Sequence, residues 1–79
     1  MANQYLKETV LQVLENQLKE NNPPITKITY ERLLSAGNSE KQAKEKIAAV
    51  LLGEIYDVMK SNEPFDEERY TNNLNSIGG

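Results

Sequence analysis

The chain has 79 residues, no cysteine, no histidine and no tryptophan, and nine basic residues against twelve acidic ones, for a net charge of −3. That composition excludes disulfides and thiolate metal sites, and it removes the side chain that most often serves as general base or metal ligand. A chain this short buries only about 60–65% of its unfolded surface, so the expectation is one small core in a single helical domain spanning residues 1–79.

The first predicted helix covers residues 3–20. Leu6, Val10, Val13, Leu14 and Leu18 recur at three- and four-residue steps, and Tyr5 and Leu11 widen the stripe. Glu15 and Lys19 have the spacing of an exposed i,i+4 pair. Asn21, Asn22, Pro23 and Pro24 then stop the helix, since proline cannot continue one. The second helix is expected to be short, about residues 30–36. Thr29 is its expected N-cap, Ile28 and Leu33 stand at hydrophobic-staple spacing, and Tyr30, Leu33 and Leu34 form its apolar side. Gly37 closes it by tolerating the left-handed conformation.

The third helix is expected over residues 39–60, close to ~30 Å at 1.5 Å per residue. Ser39 and Gln42 have the spacing of a capping box. Its first half is polar outside Ala43 and Ile47, with Glu40–Lys44 and Lys41–Glu45 as surface pairs. Its second half, "IAAVLLGEIYDVM", is apolar nearly all round. Ile47, Val50, Leu51, Ile55 and Val58 make one face. Ala48, Leu52, Tyr56 and Met59 make a neighbouring one. Glu54 and Asp57 mark the solvent side. Such a helix belongs at the centre, with helices on two sides or one side covered by a second subunit. Gly53 within it costs about 1 kcal/mol relative to alanine. A fourth helix is predicted at 66–76. Asp66 is its N-cap, Phe65 and Tyr70 its staple, and Glu67 and Glu68 suit the first turn. Tyr70, Leu74 and Ile77 pin it to the body. The fold class is therefore all-α: a small four-helix bundle-like domain with a long central third helix.

Charge is unevenly placed. Residues 1–36 and 37–60 each balance, and the acidic excess sits in Glu63, Asp66, Glu67 and Glu68 against Arg69 alone. Duplex binding normally concentrates positive charge, so nucleic acid is not the favoured partner. No apolar run reaches the length of a membrane span, and Lys7, Glu8 and Glu15 interrupt any export signal, which makes the cytoplasm the expected compartment and a membrane no partner.

Three resemblances attach to particular residues. The hairpin "RLLSAGNSEKQAKEKI" resembles a helix-turn-helix, in which a second helix enters the major groove. That resemblance implies DNA binding through residues 30–46, with Lys41 and Lys44 as the cations. Asn38 and Lys46 stand where that motif places apolar residues. The same stretch looks like the first turn of ubiquitin-associated-type three-helix domains through Leu33, Gly37, Ser39, Ala43 and Ile47, which implies a protein-binding surface around Ala36–Asn38. The longer string from Glu31 to Tyr70 resembles small uncharacterised all-helical bacterial proteins, which implies a bacterial protein of this architecture and carries no activity.

No histidine activates any serine or threonine, and no glycine-rich phosphate loop is present. The expectation is a protein that is not an enzyme and needs no cofactor or metal. Glu54 and Asp57 are the one pair that could join Glu8 or Glu15 around a divalent cation, and a solvated stripe is their plainer reading. The leading reading is a non-catalytic protein-interaction or regulatory module, able to form a homodimer, with Ala48, Leu52, Tyr56 and Met59 as its contact surface.

Overall fold

The computed structural model describes residues 2–62 and 64–78, with side-chain surroundings from residue 8 onward. Four helices make up the order: α1 (Ala2–Glu20), α2 (Pro24–Ser35), α3 (Glu40–Ser61) and α4 (Glu67–Asn75). Among the described residues there is no strand. The fold is the expected all-α bundle, and α3 is the longest and central element. It packs against each of the other three helices, while α2 also touches α1 and α4. The expected stripe positions Tyr5 and Leu6 lie outside the described side chains, and Glu63 lies outside the described residues.

The core is one cluster. Val10 and Leu14 come from α1, Leu33 from α2, Ala43, Ile47 and Leu51 from α3, and Tyr70 and Leu74 from α4. Within α1, α3 and α4 these residues stand four apart on one apolar stripe, whereas the buried stripe of α2 joins Leu33 to Thr26 and Thr29.

The ends are fixed by local chemistry. The Ser39 hydroxyl accepts the Gln42 N–H at 3.1 Å, and the Gln42 side chain accepts the Ser39 N–H at 2.9 Å. This reciprocal pair satisfies two orphan donors at the start of α3. Replacing Ser39 with alanine is expected to lower stability by about 1 kcal/mol, read as a shift of the urea midpoint with an unchanged slope. At the end of α2, Gly37 takes φ +102°. Its N–H reaches the Leu34 carbonyl, and the Asn38 N–H reaches that of Leu33, each at 3.1 Å. This is a Schellman close, which needs the left-handed residue that glycine supplies. At α4, Asp66 accepts the Arg69 N–H at 3.1 Å, and the Phe65 and Tyr70 rings sit 5.5 Å apart as the staple.

The second helix departs from expectation. It starts at Pro24 rather than residue 30, so Thr29 is an interior residue and not the cap. Proline at the first helical position loses no hydrogen bond, because that N–H has no partner within the helix in any case. Pro23 takes the N-cap place in extended conformation, without a side-chain cap. Ile28 is 58% exposed and so cannot act as the staple expected of it.

Candidate functional site

The outward side of α3 carries the predicted contact residues. Ala48 and Leu52 are half-buried and packed against the core, whereas Tyr56 is 49% and Met59 71% exposed. Steps of four, four and three residues place the four along one side of the helix. The inner side, Ala43, Ile47 and Leu51, is covered. An exposed, flexible methionine and a half-exposed, rigid tyrosine thus stand beside half-buried aliphatic groups on this side of the helix.

The carboxylate pair separates. Asp57 is exposed, but Glu54 is 1% exposed and does not belong to a solvated stripe. The physical reason is Arg69. Its Nε donates to one oxygen of Glu54 at 2.9 Å and its terminal nitrogen to the other at 2.6 Å. The Asp66 backbone N–H adds a third donor at 3.2 Å. This two-point, charge-assisted pairing compensates the loss of hydration. It also holds the Glu54 carboxyl below its ordinary range, with Arg69 as the main cause, the Asp66 N–H assisting and burial opposing. Both Glu54 oxygens are therefore already engaged by donors within the fold. Among the described residues, no group of three or more histidine, cysteine, aspartate or glutamate side chains is placed to hold a metal ion.

The hairpin is largely engaged in its own construction. Lys44 pairs with Glu15 of α1 at 2.8 Å, so Glu15 reaches across to α3 instead of along its own helix to Lys19. The same ammonium lies 5.9 Å from the centre of the Tyr30 ring. Glu15 beside it raises the Lys44 pKa above its ordinary value. The Tyr30 hydroxyl donates to Glu40 at 3.0 Å, so Glu40 is not simply a surface partner for Lys44. Lys46 donates to the Asn38 side chain at 2.8 Å, which places both on the surface of the turn where a DNA-reading hairpin would be apolar. Lys41 is exposed.

Two features escaped the sequence reading. The first is a buried polar trio. The Thr26 hydroxyl donates to the Gln17 side-chain oxygen at 2.8 Å, and the Tyr70 hydroxyl lies 3.1 Å from Thr26 and 3.2 Å from the same Gln17 oxygen. Burial raises the Tyr70 pKa. Thr29, also buried, has no hydrogen-bond partner for its hydroxyl. The second is Arg32, whose guanidinium donates to the Leu74 and Ile77 carbonyls at 3.0 Å each. It closes the C-terminal end of α4 from α2, where a cation also suits the helix dipole.

Near Arg69 an open depression is lined by Asp66, Glu68, Arg69, Asn72 and Asn73. It offers no enclosed apolar wall of the kind that holds a small molecule. Among the described residues, no helix is long and apolar enough to cross a membrane. Comparison with family models, with curated proteins and with solved structures finds no match. The resemblance to ubiquitin-associated-type domains thus gains no support, and α3 runs unbroken from Glu40 to Ser61 through the place of their second loop.

Proposed function

We propose that this chain is a non-catalytic protein-binding domain of the cytoplasm that engages its partner through the outer face of α3. The observation that carries the reading is the exposure of Tyr56 and Met59 in line with half-buried Ala48 and Leu52. Scattered exposed apolar residues are ordinary on a protein surface. A methionine and an aromatic joined to two further apolar positions on one helix make a continuous contact strip instead. The DNA-binding alternative is weakened by Lys44, whose charge is already committed to Glu15. Without a concentrated positive surface, phosphate contacts supply little affinity.

A photoreactive residue at position 59 tests the reading in the native cell, with the same residue at Glu31 on α2 as the reference. Covalent adducts with protein are expected at position 59 well above those at position 31. Equal yields at the two positions would remove the α3 face from consideration.

A further inference from the structure

The outer face of α3 carries a pattern that identifies its occupant, and the following step rests on the protein-binding reading above. Glu45, Ala49, Leu52, Tyr56 and Met59 recur at alternating steps of four and three residues, so they form one seam along the helix. Glu45, Ala49, Tyr56 and Met59 are exposed and Leu52 is half-buried. Lys60 lies beside the far end of the seam and is exposed. Glu45 and Lys60 are equidistant from the midpoint between Leu52 and Gly53, each about 11 Å away along the axis.

From this we infer that the occupant is a second copy of the chain, with its α3 laid antiparallel across the first about a two-fold axis at Leu52–Gly53. A two-fold interface must be complementary to itself. In this register Glu45 faces Lys60 of the second copy at both ends, opposite charges on each. Ala49 faces Tyr56 of the second copy, so a small side chain meets a large one. Leu52 faces Gly53 of the second copy, just to either side of the axis. Gly53 has open space where a Cβ would stand, which lets two backbones approach at the axis.

The competing arrangements are poorer. A parallel pairing puts Glu45 on Glu45 and Lys60 on Lys60. Sliding the antiparallel pair by one turn in one direction brings Lys41 beside Lys60 of the second copy. Sliding it the other way leaves Glu45 facing beyond the end of α3 at Ser61. Charge complementarity sets register and partner more than it sets affinity, which suits a reversible dimer.

Sedimentation across the micromolar range tests the dimer. The expected result is a concentration-dependent monomer–dimer equilibrium. Lys60→Glu and Glu45→Lys should each weaken it about tenfold, and the double exchange should restore it. A species that stays monomeric to several hundred micromolar would overturn the dimer, as would a double exchange no better than its parents. The chain has no cysteine, so Gly53→Cys supplies a single thiol at the axis. Mild oxidation should link that variant into dimers, while Ser35→Cys on exposed α2 stays monomeric, because a disulfide needs close Cα approach. Equal cross-linking of the two overturns the register. The outcomes separate the two readings. A monomer whose position-59 adducts contain a different protein overturns the second copy and leaves the protein-binding face standing. A dimer that gives neither position-59 adducts nor selective cross-linking of the Gly53→Cys variant overturns both, because the second copy then sits on another face.

Discussion

Replacing Arg69 with methionine will cost the fold about 3 kcal/mol near neutral pH and will change how stability responds to acid. Glu54 is the carboxylate left behind, and its side chain has no solvent contact, whereas Arg69 is about a third exposed. Removing one partner from a buried pair typically costs about 3–5 kcal/mol, and the partial exposure of Arg69 favours the lower end. A chain of this length has about 4–12 kcal/mol in total, so the loss is a large share. In the native protein the folded Glu54 pKa lies below its ordinary value of 4.5. Its stabilisation is therefore complete above that value. It is lost as pH falls through the lower folded pKa, because the unfolded chain takes up the proton first. In the methionine variant burial is left with only one backbone donor opposing it, and the folded pKa rises above 4.5. The sign then inverts, and the variant recovers part of its stability on acidification. Urea titrations at pH 7 and pH 4 should show the gap between the two proteins narrowing at the lower pH. A gap that is independent of pH would mean that Glu54 is not the group Arg69 supports.

The same pair marks where sequence reading succeeds and where it stops. The Ser39–Gln42 box, the Phe65–Tyr70 staple and the Gly37 close were legible because each is made between residues at most five apart. Glu54 was half legible. It stands seven residues after Ile47 and three after Leu51, squarely on the buried stripe, yet its charge argued for solvent. The signal that could have resolved the conflict was Arg69, the single cation in an otherwise acidic tail. A charged residue on a core stripe calls for a partner of opposite sign.

The start of α2 was hidden for a different reason. "PPITKIT" combines two prolines with β-branched residues, all weak helix formers in isolation. Their helical state is set by tertiary contacts, since the Thr26 hydroxyl meets Gln17 and Tyr70 at separations of nine and forty-four residues. No local pattern encodes that meeting. The outer α3 stripe was legible as a neighbouring apolar face, because periodicity alone separates Ala48, Leu52, Tyr56 and Met59 from the covered side.

Tyr70 is the second place where one substitution should be decisive. Tyr70→Ala is expected to cost about 3–5 kcal/mol, the usual range for emptying a buried aromatic site. The nine residues of α4 are too few to hold a helix alone, so its stability comes from docking. Tyr70 is fully buried and stacks near Phe65, and it also joins α4 to α1 through Gln17. That link matters because, among the described residues, no Cα of α1 comes within 8 Å of one in α4. Tyr70→Phe separates the ring from the hydroxyl. It leaves the Gln17 oxygen still accepting from Thr26, so no buried acceptor is stranded, and the cost should be about 1 kcal/mol. Alkali provides an independent reading. Burial raises the Tyr70 pKa above its ordinary 10.0, so the native protein loses stability as pH rises past that value, when the unfolded chain ionises first. The phenylalanine variant lacks this loss and should close the gap to the native protein above pH 10. Urea midpoints for the three proteins at pH 7 and in alkali decide the matter. If phenylalanine costs as much as alanine, the hydroxyl trio rather than the ring holds α4 in place.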